Sequence, residues 1–173
     1  MIRILGIDPG SRLTGFGIIE VQGNRLHCLA TGCVKINGEN LASKLKIVFE
    51  GISELVSEYQ PQEVAIENIF MYRNAESALK LGQARGAAIS AVSVRSIPVH
   101  EYTPSEIKKA VVGKGNASKE QVQHMIRALL SLNRMPQSDA ADALAVAVCH
   151  ANRRNQPLPL ERRRRAGRWK SLS

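Results

Sequence analysis

The chain begins "MIRILGIDPGSRLTGFGII" (residues 1–19), an apolar run that breaks off in Asp8, Pro9 and Gly10. Apolar residues alternate from Ile2 to Ile7 and again from Gly15 to Val21, with the turn "DPGSRLTG" between them, which is the pattern of a β-hairpin with one buried face. A third alternating stretch, Leu26 to Ile36, follows the turn "VQGN" and makes the hairpin a three-stranded antiparallel meander. Asp8 therefore stands at the tip of a strand whose body belongs inside. Two readings of it are open. Asp-Pro-Gly is turn chemistry in its own right, because Pro presets φ, Gly accepts positive φ and Asp bonds the backbone ahead. Alternatively, the strand is buried to hold a working carboxylate rigid.

Beyond the meander, apolar residues recur at helical spacing from Leu41 to Tyr59, and Pro61 stops the helix. "EVAIENIF" is too short for a helix, so Glu63 to Glu67 reads as a buried parallel strand, and Glu67 becomes a second carboxylate at a strand end. "NAESALKLGQARGAAISAVSV" is a long helix with Asn74 as its cap, and Gly82 and Gly86 on it are small enough to admit a neighbouring helix. "IPVHEY" is a fifth strand, and "TPSEIKKAVV" opens a helix with Thr103 as cap and Pro104 at its first position. Further helices run from about Lys119 to Leu132 and from near Asp139 through "ADALAVAVCH". This order predicts an α/β fold: a mixed five-stranded sheet, three antiparallel then two parallel strands, with helices on both faces. Residues 1–152 form one domain on this reading, and residues 153–173, with Pro157, Pro159 and "RRRRAGRWK", a basic disordered tail.

Composition narrows the function. The net charge is +9, of which +7 falls in residues 153–173, while residues 68–134 carry +6 and the segments around the four candidate acids are negative. An acidic focus between basic regions suits a site that holds cations while its surroundings grip phosphates. Cys28, Cys33 and Cys149 form no C-x-x-C pair and have no His-x3-His partner, so neither a disulfide framework nor a zinc site is expected. No apolar stretch reaches the ~18 residues of a membrane span and no signal-peptide pattern opens the chain, so a soluble, cytoplasmic protein without membrane attachment is expected.

Asp139 and Asp142 stand three apart on one helix face. They too have a structural alternative, since an acid at a helix start with a second acid three residues on is close to a capping box. If the first and fourth strands are neighbours and the last helix crosses their ends, Asp8, Glu67, Asp139 and Asp142 meet. Like charges ~4 Å apart near a surface repel by about 4 kcal/mol, so such a cluster demands cations. Oxygen-only ligands select hard divalent ions, Mg2+ first and Mn2+ as its substitute. The matching chemistry is two-metal phosphodiester hydrolysis, with ions ~3.5–4 Å apart.

"GIDPGSRLTGFGII", "VAIENIFMYRNAESALKLGQARG", "VVGKGNASKEQV" and "SDAADALAVAV", in this order and at these separations, closely resemble the bacterial crossover-junction endodeoxyribonucleases of the RuvC family, the Holliday junction resolvases. The resemblance spans about residues 2–150. It implies a ribonuclease H-like fold, a homodimer built on the helix around Gly82 and Gly86, and Mg2+-dependent nicking of two strands of like polarity at a four-way junction. The products would carry 5′-phosphate and 3′-hydroxyl ends. It places the family's acidic tetrad on Asp8, Glu67, Asp139 and Asp142, its base-stacking aromatic on Phe70, and its phosphate-neutralising lysines on Lys108 and Lys119. Arg73, Lys80, Arg85, Lys109 and Lys114 are further candidates for DNA backbone contact, and coupling to the RuvAB branch-migration complex is implied by the resemblance alone. Two other functions fit parts of the pattern. "GIDPGSRLTG" also resembles the phosphate-binding hairpin of actin-like and sugar-kinase ATPases, which generally use two such domains where this chain has one such segment. A junction-binding module without catalysis would have lost tetrad acids, and all four are present.

Overall fold

The computed structural model describes residues 1–68 and 75–154. Five strands, β1 (Ile2–Asp8), β2 (Leu13–Gln22), β3 (Arg25–Lys35), β4 (Glu63–Glu67) and β5 (Val99–Tyr102), form one sheet in the order 3-2-1-4-5. β1 pairs antiparallel with β2 and parallel with β4, and β5 continues the parallel half. The helices are α1 (Leu41–Tyr59), α2 (Ala75–Ser93), α3 (Pro104–Val112), α4 (Lys119–Leu129) and α5 (Ser138–Arg153). The expected mixed sheet is thus present, with the direction switching at β1 because α1 carries the chain back before β4.

The pleat sorts the core into two layers. Ile4, Ile19 and Ala65 face α3, α4 and α5, whereas Leu5, Ile7, Ile18, Val64 and Ile66 face α1 and α2. Helices on both faces explain why β4 reads as a continuous apolar run, with Val64, Ala65 and Ile66 all fully buried.

α5 is the innermost helix, buried from Ala143 to Ala151 because the sheet lies under it and α3 and α4 lie over it. Its close seat depends on glycines. A Cβ at Gly6 would land on the Ala143 carbonyl and Ala147, one at Gly15 on the Asp139 carbonyl, and one at Gly17 on the Leu144 side chain. Small residues on both surfaces let the helix backbone rest directly on the strands.

Several boundaries differ from expectation for local reasons. α4 stops at Leu129, short of Leu132, because Ser131 turns left-handed (φ 50°) and the Leu132 N–H reaches back to the Arg127 carbonyl at 2.9 Å. β5 begins at Val99 because Pro98 has no N–H for the ladder, although its carbonyl still accepts from Val64 at 3.0 Å. Thr103 caps α3 as expected and closes a capping box with Glu106, while the box of Asn40 and Ser43 on α1 went unread. The expected cap Asn74 and the expected disorder beyond Arg154 lie outside the described residues.

Gly15→Ala must push the start of α5 off β2, and a loss of about 1–3 kcal/mol in urea unfolding is expected, as for overpacking elsewhere. An unchanged midpoint would show that the helix does not depend on this contact.

Candidate active site

β1 and β4 run side by side with Ile7 paired to Ile66, so Asp8 and Glu67 occupy adjacent strand tips. Gly6 and Ala65 face α5, and two residues on, Asp8 and Glu67 point to that same face. The first turns of α5 bring Asp139 and Asp142 there. Neither acid caps the helix: its N-cap is Gln137, with no side-chain hydrogen bond. The capping alternative for this pair therefore falls away, and the carboxylates are left over for something else.

Asp8, Glu67 and Asp142 line a cleft of about 260 Å³ together with Lys108 of α3, Lys119 of α4 and the apolar Ile107, Val122 and Ala145. Burial, followed by the charges of Glu67 and Asp142, pushes the Asp8 carboxyl up to about 8. Burial, the largest cause, also raises the Glu67 carboxyl, and the Asp142 charge acts in the same direction. The Asp139 charge adds to the repulsion on Asp8. Lys119 Nζ lies 3.0 Å from an Asp142 oxygen, and that bond raises the lysine. A proton on one side and an ammonium on the other thus neutralise part of the cluster.

The donor set is all oxygen. No three of these carboxylates bring oxygens within 4.8 Å of one another among the described residues. Ligands of one Mg2+, each ~2.1 Å from it, would lie closer than that, so the spacing is wider than a single ion's cage.

The other expected residues are placed differently from one another. Lys108 is half-buried in the cleft wall, and Lys109 and Lys114 are exposed nearby in sequence on α3 and the loop after it. Lys80 is exposed on α2 and paired with Glu76 at 2.6 Å. Arg85, expected to contact DNA, turns inward, 19% exposed, and pairs with Glu101 at 2.6 Å. Gly82 and Gly86 are exposed on α2, and among the described residues nothing packs where a side chain at either would stand. Phe70 and Arg73 lie outside the described residues.

One cluster escaped the sequence reading. At the opposite end of β4, His150 of α5 accepts from the Tyr102 hydroxyl at Nδ1 (2.7 Å) and bonds Glu63 through Nε2 (2.6 Å), while Arg154 grips Glu63 at 3.1 and 3.2 Å. His100 stacks on His150 at 4.3 Å between ring centres. The Glu63, His100 and His150 ligand atoms lie within reach of one cation, but both His150 nitrogens and the Glu63 carboxylate are already engaged. Burial keeps His150 neutral. No spacing rule links residues 87 positions apart, so no sequence signal marked this pair.

The raised Asp8 carboxyl makes a prediction about stability. Between the ordinary carboxyl range and about 8 the native state holds a proton that the unfolded chain has lost, so stability in EDTA should fall as pH rises from 5 to 8. Asp8→Asn should remove most of that slope and raise stability at pH 8 by on the order of a few kcal/mol. Parallel urea titrations of the two proteins would show a common slope if the site did not hold this proton.

Similarity to known proteins agrees with the geometry. Residues 4–150 match the family model described as crossover junction endodeoxyribonuclease RuvC. Relatives of that name from Shewanella sp. (strain MR-4) and Shewanella putrefaciens (strain CN-32) are 59% identical over 150 residues, 87% of each chain, and 55% identical over 163 residues, 94% of each chain. The solved structure of Thermus thermophilus RuvC superposes with a TM-score of 0.80 at 35% identity, covering 87% of this chain and 94% of that one. The same protein in complex with Holliday junction substrate gives 0.82, covering 87% and 93%. With two thirds and more of its length matched in sequence and in structure, the chain belongs to the RuvC family of crossover junction endodeoxyribonucleases.

Proposed function

We propose that the protein resolves Holliday junctions during recombination and DNA repair by placing symmetric, Mg2+-dependent nicks in two strands of like polarity, leaving 5′-phosphate and 3′-hydroxyl ends. The observation that carries this reading is the convergence of Asp8, Glu67 and Asp142, with Asp139 close enough to act on Asp8, beside Lys108 and Lys119 in one cleft. Asp8, Glu67, Asp139 and Asp142 would hold two Mg2+ ions, with Mn2+ as substitute. Ions bound there supply Lewis-acid activation of water and charge neutralisation at the phosphate. The chain's own part begins with a proton: the Asp8 carboxyl, raised by burial and its acidic neighbours, would have to give up its proton to serve as a ligand. Lys108 and Lys119, both lining the cleft, would face the phosphate of the strand to be cut.

Around this centre, Phe70 stacks on bases opened at the junction, a contact worth ~1–3 kcal/mol per base. Arg73, Lys80, Lys109 and Lys114 meet phosphates, adding affinity without selecting sequence. The Arg-rich residues beyond Arg154 add further non-specific affinity. A homodimer through the exposed α2 face at Gly82 and Gly86 gives a nearly two-fold junction two sites for two cuts. The protein works in the cytoplasm, where it couples to the RuvAB branch-migration complex. No helix of the described residues is long and apolar enough to cross a membrane.

The test is cleavage of a synthetic mobile four-way junction, with binding followed on the same substrate. The wild type should yield paired, ligatable nicks in Mg2+ and bind without nicking in Ca2+. Asp8→Asn should bind normally while losing on the order of a hundredfold or more in cleavage. Binding without cuts from the wild type would reduce the protein to a junction-recognition module. Because a proton and a cation compete at Asp8, the rate at limiting Mg2+ should climb by up to ~tenfold per pH unit below pH 8 and flatten when Mg2+ saturates. A profile insensitive to Mg2+ concentration would contradict that competition.

A further inference from the structure

Arg85 is the one cationic side chain of α2 that is turned into the protein at the edge of the site. Its Nε donates a long hydrogen bond, 3.4 Å, to the Glu67 backbone carbonyl. Its Nη2 is shut off from water and lies 2.6 Å from a Glu101 oxygen, an ion pair without an aligned hydrogen bond. Glu101 belongs to β5, where it is paired with Ile66 of β4, so the guanidinium spans the last residues of both parallel strands.

The side of the sheet matters. Ile66 and Val99 face α2, and Glu101, two residues after Val99, faces the same way. Ala65 and Tyr102 face α5, and so does the Glu67 carboxylate. Arg85 therefore meets β4 from the back, at the peptide of the very residue whose side chain emerges into the cleft in front. An arginine placed so lies on the opposite face of the sheet from the cleft. Its charge is compensated by Glu101, and it holds the frame on which Glu67 is mounted. A buried guanidinium is costly to leave unpaired, which makes the arrangement rigid. Outer groups that orient a ligand in this way commonly govern metal affinity about 10–100-fold.

We propose that Arg85, braced by Glu101, is a positioning residue for Glu67 and sets the cation affinity of the site from the opposite face of the sheet. This rests on the nuclease reading above. It assigns Arg85 a role other than the phosphate contact that its charge alone suggests.

The experiment compares wild type with Arg85→Gln, Arg85→Lys and Glu101→Gln, each first shown to be folded by its near-ultraviolet dichroism. Three quantities are read: Mn2+ affinity by calorimetry without DNA, junction affinity and its salt slope in EDTA, and the single-turnover nicking rate of bound junction. All three variants should bind Mn2+ about tenfold or more weakly and nick about 10–100-fold more slowly, with junction affinity and salt slope within about twofold of wild type. Lysine should not rescue, because it lacks the fork that reaches both partners. Glu101→Gln is decisive, since a half-exposed acid facing away from the cleft can be removed without taking a phosphate contact with it. The proposal is overturned if Arg85→Gln instead weakens junction binding and flattens the salt slope while Mn2+ affinity holds, or if the variants match wild type throughout. A wild type that neither binds Mn2+ nor nicks would overturn the nuclease reading itself, a result distinct from either of these.

Discussion

A helix backbone resting on glycine is what brings the site together. α5 supplies Asp139 and Asp142 and the two strand tips supply Asp8 and Glu67, but these pairs meet only because Gly6, Gly15 and Gly17 let the helix lie directly on β1 and β2. Any side chain there would lift the helix by the thickness of a methyl group, and carboxylates must be held to within about half an ångström to serve as ligands. The alanines at 140, 143 and 147 answer the glycines from the other surface. Burial of α5 on every side then removes the freedom to move away.

Packing alone would leave four acids in mutual repulsion, and the molecule meets this with what it has. Burial and the neighbouring charges favour a proton on Asp8, and the Lys119 ammonium sits on Asp142. Both are exchangeable positive charges held where divalent ions would otherwise stand. The repulsion is thus offset within the chain itself, by a carboxyl proton and by a lysine at the wall of the cleft.

β4 serves both ends of this arrangement. At its tip, Glu67 enters the cleft, with Arg85 and Glu101 behind it. At its start, Glu63 binds His150 and Arg154 at the far end of α5, and Tyr102 completes the network. The helix is consequently fixed at its buried C-terminal end by hydrogen bonds, and at its N-terminal end by close packing. His150 remains neutral and only 2% exposed, which makes it a fastening rather than a titrating switch.

Much of this was legible in the one-dimensional pattern. The alternating run from Ile2, the short apolar "EVAIE" and the Thr103-Pro104 start are local signals, because strand alternation and helix capping depend on residues a few positions apart. The four acids could also be singled out, Asp8 and Glu67 as carboxylates at the tips of buried strands and Asp139 and Asp142 as a pair on one helix face, although each also had a local structural reading. Spatial questions were another matter. Whether Asp139 and Asp142 cap α5 or face β1 depends on where the helix starts, and only the assembled fold puts Gln137 at the cap. Whether Arg85 reaches outward or inward is decided by Glu101 across two strands, and the Glu63–His150 bond joins positions with no pattern between them. Periodicity and turn chemistry act along the chain, so the sequence by itself determined the elements and the type of chemistry. Contacts between distant segments form only when those elements pack, so the tertiary structure alone decided which charges face the cleft and which hold it in place.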